Sequence, residues 1–118
     1  MLLPGPDHPI TIAATGAPVR VSAEGQQIVR SEDALTLSEA SYPAVQYLPR
    51  QDADMSRLER SGHKTRCPYK GEASYFHVVL GERRIENAVW TYEDPYPAVA
   101  EIKDRLAFYP DRARVEVG

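Results

Sequence analysis

The stretch "TRCPYKGEASYF", residues 65–76, holds the chain's single cysteine and places several reactive side chains within a few positions. Cys67 supplies a thiol, Tyr69 a phenol and Lys70 an ammonium, with Pro68 and Gly71 among them. A thiol becomes a nucleophile when nearby cationic charge lowers its pKa and solvent can reach it. Arg66 and Lys70 are close in sequence, and His63 lies four residues upstream. Cys67 and His63 are therefore candidate catalytic residues, as a Cys–His pair or a redox centre. A buried free cysteine that packs as a small hydrophobe is the competing reading.

Lys70 and Gly71 point to a second chemistry. A loop can aim backbone N–H groups at an anion while a lysine adds a point charge. "CPYKG" is not a Walker loop, because it lacks the glycine spacing and a Ser or Thr after the lysine. It also reads as a tight turn, with Pro68 setting φ and Gly71 taking a left-handed conformation. The turn and the anion site are compatible.

Tyr47, Tyr69, Tyr75, Trp90 and Tyr92 form a large aromatic set for 118 residues. Trp90 and Tyr92 stand two apart on one expected strand and so share a face, with Tyr75 on a neighbouring strand. Such a wall could hold a planar ligand or form the core. The candidate ligand-binding set is Tyr47, His63, Cys67, Lys70, Trp90 and Tyr92. Lys70 and His63 would meet an anionic group, and the aromatics would meet an apolar or planar body. His77 reads as a structural strand histidine. Glu93 ends a strand, where an orienting acid or a plain turn residue fits equally.

The bulk properties narrow the class. The length suits one domain spanning residues 1–118, large enough for a core without disulfide staples. One cysteine permits no intrachain disulfide and no four-cysteine or Cys2His2 zinc site. No metal or cofactor motif is present. A net charge of −3 argues against a nucleic-acid partner, although Arg57, Arg60, His63, Lys64, Arg66 and Lys70 crowd one segment. That segment reads as a solvated loop or, alternatively, as a docking surface for a protein partner. No apolar run reaches membrane-spanning length and the first residues lack the form of a signal peptide, so a cytoplasmic protein is expected. A homodimer paired through an exposed strand edge remains open.

The elements that must position these side chains are mostly strands. Residues 1–9 hold three prolines and read as an irregular arm. Alternation of apolar and polar residues predicts strands over 10–14, 19–23, 27–31, 34–40, 43–49, 74–80 and 87–92, with two more near the C-terminus. "EGQ" at 24–26 signals a hairpin. "RQDADMSRLERSG" predicts a short helix capped by Asp52 or Asp54, and residues 93–104 predict a second with Pro97 in its first turn. The fold class is mainly β: one small domain of antiparallel sheets with one or two short helices.

The order "CPYKGEASYF", then "AVWTYEDPYP", then "LAFYPDRARVEV" resembles a family of small bacterial and fungal proteins, DUF427, over nearly the whole chain. The resemblance implies a β-tent or Mss4-like fold. Several β-tent relatives carry zinc on paired cysteines, and this sequence has no such pair. The family has also carried a nucleotidyltransferase-like label. Nucleotidyltransferases hold two metals on a D-x-D pair just after a Gly-Ser turn. Asp52 and Asp54 have the spacing without that turn, and a capping role explains them.

Overall fold

The computed structural model describes residues 1–118. Ten strands run in the order β1 (Ile10–Ala14), β2 (Val19–Ala23), β3 (Gln26–Ser31), β4 (Leu35–Glu39), β5 (Val45–Tyr47), β6 (Leu58–Cys67), β7 (Gly71–Leu80), β8 (Arg83–Thr91), β9 (Leu106–Phe108) and β10 (Arg114–Val117). They form three antiparallel sheets, ordered β1-β4-β5, β10-β2-β3 and β6-β7-β8-β9. Helical structure is confined to short 3₁₀ segments at Arg50–Asp52, Met55–Arg57 and Pro97–Ile102. None of these is long and apolar enough to cross a membrane.

The four-stranded sheet carries apolar residues on both faces, and the two faces belong to separate clusters. Phe76, Val78, Val89, Leu106 and Phe108 pack with Val19, Val21, Ile28 and Val29 of the β2–β3 hairpin. Ala73, Tyr75, Tyr92 and Ala107 pack with Leu37 and Tyr47 of β4 and β5. A strand covered on both sides reads as a continuous apolar run. β7 does so at "SYFHVVL", where Tyr75 and Phe76 are both buried but face opposite clusters. Strands β1 to β5 and β7 to β10 fall where the sequence predicts strands. The β2–β3 connection is a two-residue turn in which Glu24 and Gly25 both take positive φ, the geometry that matches strand twist.

The expected helix over residues 50–62 is not formed. Asp54 caps one 3₁₀ turn, accepting the Ser56 N–H at 3.1 Å. Leu58 then enters β6 and pairs with Val78. The reason lies in where β6 sits. It is the edge of its sheet, largely exposed, so its residues are polar on both faces and the period of two is erased. Met55 and Leu58 mimic helical spacing by chance. Asp52 accepts a hydrogen bond from the Ser31 hydroxyl at 2.6 Å, so the two aspartates serve different structural partners.

Two bulges bend the β6-β7-β8 ribbon around Tyr75 and His77. Residues 61–63 of β6 oppose the single residue Tyr75, and residues 86–88 of β8 oppose His77. Asn87 takes positive φ there, and its N–H, lost from the ladder, is accepted by His77 Nδ1 at 3.0 Å. His77 is thus a satisfied structural histidine.

Candidate functional site

The "CPYKG" motif closes the β6–β7 hairpin. Cys67 pairs with Gly71, leaving Pro68, Tyr69 and Lys70 as the turn. Gly71 has φ +108°, which L side chains rarely adopt, and an added Cβ would contact the Asp94 carbonyl oxygen at 3.5 Å. The turn is held from two sides. Pro68 O accepts the Leu2 N–H at 2.8 Å, and Lys70 O accepts the Tyr96 N–H at 3.0 Å. The Tyr69 ring stacks flat on His8, with centroids 3.9 Å apart.

This scaffold delivers Lys70 to one end of a cleft of about 200 Å³. Lys70, only 8% exposed, donates a hydrogen bond to Glu39 Oε1. Glu39 Oε2 accepts from His8 Nε2 at 2.7 Å. Burial pushes the Glu39 carboxyl up, but the hydrogen bonds from Lys70 and His8 outweigh it and hold the group below its ordinary range. An ammonium has three donors, and Glu39 takes one of Lys70's.

The rest of the cleft is aromatic: Tyr42, Tyr47, Tyr75, Trp90, Tyr92 and Tyr109 line it with Leu37, Pro43 and Val45. Tyr75 pairs with Trp90 across β7 and β8. Trp90 donates its Nε1–H to Tyr47 Oη at 3.1 Å and lies 4.5 Å from the Tyr109 ring. The Tyr75 hydroxyl is 2.9 Å from Thr65 Oγ1 and 3.3 Å from Tyr109 Oη. Burial, then the bond to Tyr75, pushes the Tyr109 phenol up to about 12. Burial raises the Tyr47 and Tyr92 phenols further. These tyrosines stay protonated at neutral pH and can act as hydrogen-bond donors.

Tyr92 differs from Tyr47 and Tyr75. It is 6% exposed, and its hydroxyl has no hydrogen-bond partner within the protein. No fully enclosed side-chain polar atom is left unpaired, so the Tyr92 hydroxyl must reach the open space of the cleft.

Of the six residues proposed from the sequence as ligand contacts, Tyr47, Lys70, Trp90 and Tyr92 line this cleft. His63 and Cys67 do not. His63 is exposed at the β6 bulge, with its ring centroid 4.5 Å from that of Tyr75. Cys67 is half-buried and packs against the second apolar cluster. No hydrogen bond joins His63 to Cys67, because the bulge turns His63 toward Tyr75. His8 and Glu39 were missed. Glu39 carried a legible signal: it continues the face of Leu35 and Leu37 in β4, so period two aims a carboxylate into the core side. His8 had none, since only the folded arm brings it near.

The basic segment is largely neutralised. Arg60 grips both Glu93 oxygens at 3.0 and 2.8 Å, and Arg50 adds a third bond at 3.1 Å. Together they draw the Glu93 carboxyl down to about 2, Arg60 contributing most. Lys64 and Arg66 lie within 4 Å of Glu72. Glu93 is therefore a structural clamp.

A small antiparallel β protein with a capped hairpin turn and an aromatic cleft headed by a buried ion pair is the class that fold and site define. A family model described as "Domain of unknown function (DUF427)" matches residues 11–118. The chain belongs to that family. No curated protein matches it.

Proposed function

We propose that the protein binds a small molecule in the Lys70–Glu39 cleft, and that the ligand has a planar body tipped by a carboxylate or similar anionic acceptor. One observation carries the reading: Lys70 and Tyr92, which keep donors without protein partners, line the same aromatic cavity. Lys70 would give its remaining N–H groups and its charge to the anion, in a charge-assisted bond. Tyr92 would add a neutral donor. The rings of Trp90, Tyr47 and Tyr109 would cover the planar part by offset or edge contact. Glu39 and His8 fix the lysine in place.

Trp90 is the chain's only tryptophan and forms part of the cleft wall, so its emission reports directly on occupancy. Benzoate is the simplest probe. Saturable change in Trp90 emission is expected, weakened roughly 2- to 10-fold in Tyr92→Phe by loss of one hydrogen bond. Absence of saturation, or equal affinity in the variant, would contradict the reading.

A further inference from the structure

A second cavity of about 310 Å³ adjoins the cleft and shares Tyr42, Pro43, Val45 and Trp90 with it. Its own walls include Leu48, Phe108 and Val115, which belong to the first apolar cluster, whereas Trp90 and the buried tyrosines belong to the second. The chemistry of the two spaces differs. The cleft ends in an ion pair and a free phenol. The second cavity offers an occupant almost nothing polar. Its one amide side chain, Gln46, is already engaged, accepting from Thr15 Oγ1 at 2.7 Å and donating to Thr36 Oγ1 at 3.0 Å. Pro43 and Pro110 in its wall have no N–H to give.

We infer that the two cavities form one bipartite site for an amphipathic carboxylate, with the planar head in the cleft and an alkyl substituent in the second cavity. The inference rests on the binding reading above and deepens it by naming the ligand class. Three observations carry it. The spaces share a wall, and its tryptophan can touch both halves of one ligand. Ligand pockets occupy roughly 300–1,000 Å³; the cleft falls short of that range, the second cavity only just enters it, and the two together lie well inside it. An alkyl chain suits a cavity lined mostly by apolar side chains whose one amide is already engaged, whereas a polar substituent would find few partners there for its own donors and acceptors.

The test is a series of 4-n-alkylbenzoates, from benzoate to 4-heptylbenzoate, titrated against the full-length protein with Trp90 emission as the signal. Burial of each methylene strengthens binding roughly fourfold, so affinity should climb along the series and then level off. Val115→Phe, which fills the second cavity, should bring the levelling to a shorter chain while leaving benzoate itself unchanged. Val115→Ala, which enlarges it, should move the levelling to a longer chain, so the inference stays testable if the larger side chain impairs folding. Benzoate binding with affinity flat along the series would overturn the bipartite site and leave the binding reading standing. Equal effects of the Val115 variants on every homologue would do the same. No saturable signal from any homologue would remove the binding reading itself, and this inference with it.

Discussion

Two ionic clusters in this molecule use the same chemistry for opposite ends. At the Glu93 clamp, two guanidiniums close on one carboxylate over the Phe76 ring, with Arg60 4.9 Å and Arg50 5.5 Å from its centroid. Arg50 also donates to Thr91 Oγ1 at 3.0 Å and to the Asp104 carbonyl at 2.6 Å. That cluster is part-exposed and its acceptors are taken up internally. At the cleft, one ammonium meets one carboxylate that also binds His8, both partners are mostly buried, and donors remain free. A part-exposed cluster, whose carboxylate is gripped by two guanidiniums, ties loops to a sheet. A buried pair with unused donors beside an aromatic cavity is where a ligand is to be sought.

Removing the lysine should produce the largest effect. Lys70→Met leaves a buried carboxylate with only His8, and breaking such a pair costs on the order of 3 kcal/mol. Denaturant unfolding should show that loss. The double variant Lys70→Met/Glu39→Gln should recover most of the stability and none of the carboxylate binding. Recovery of both would mean that the ion pair is purely structural, like the clamp.

Tyr47 and Tyr92 sharpen the comparison at a single atom each. Tyr47→Phe strands the Trp90 N–H and should cost about 1–3 kcal/mol. Tyr92→Phe removes a hydroxyl with no protein partner, so stability should change by less than about 0.5 kcal/mol while binding weakens. Equal stability losses would mean that the Tyr92 hydroxyl has a structural partner after all.

The clamp should show the smallest effect at neutral pH. Glu93→Gln, at a part-exposed and salt-screened site, should cost about 1 kcal/mol and leave ligand affinity untouched. Its signature is in acid. The Glu93 carboxyl is depressed from an ordinary value of 4.5 to about 2. Its contribution is therefore complete above 4.5 and lost as pH falls toward 2. A stability–pH curve for Glu93→Gln should be flatter over that window than the wild-type curve.

The strands were legible because most have one dry face or two, and burial writes its period into sequence. β6 was not, because an exposed edge leaves no such pattern and its Met55–Leu58 spacing imitates a helix. Lys70 and the aromatic wall were visible as residue types at a tight turn and on alternating strand positions. His63 and Cys67 looked like partners because they are close in the chain, yet a bulge separates their surroundings. Glu39 and His8 come to Lys70 from 31 and 62 positions away by fold alone, joined by long-range pairing that local pattern does not encode.

The most direct measurement is a crystal structure of the protein with 4-bromobenzoate, the bromine located by its anomalous signal. The account predicts the carboxylate within hydrogen-bond distance of Lys70 Nζ and Tyr92 Oη, the ring against Trp90, and the bromine pointing toward the second cavity. An empty cleft at saturating probe, or a carboxylate turned away from Lys70, would contradict it.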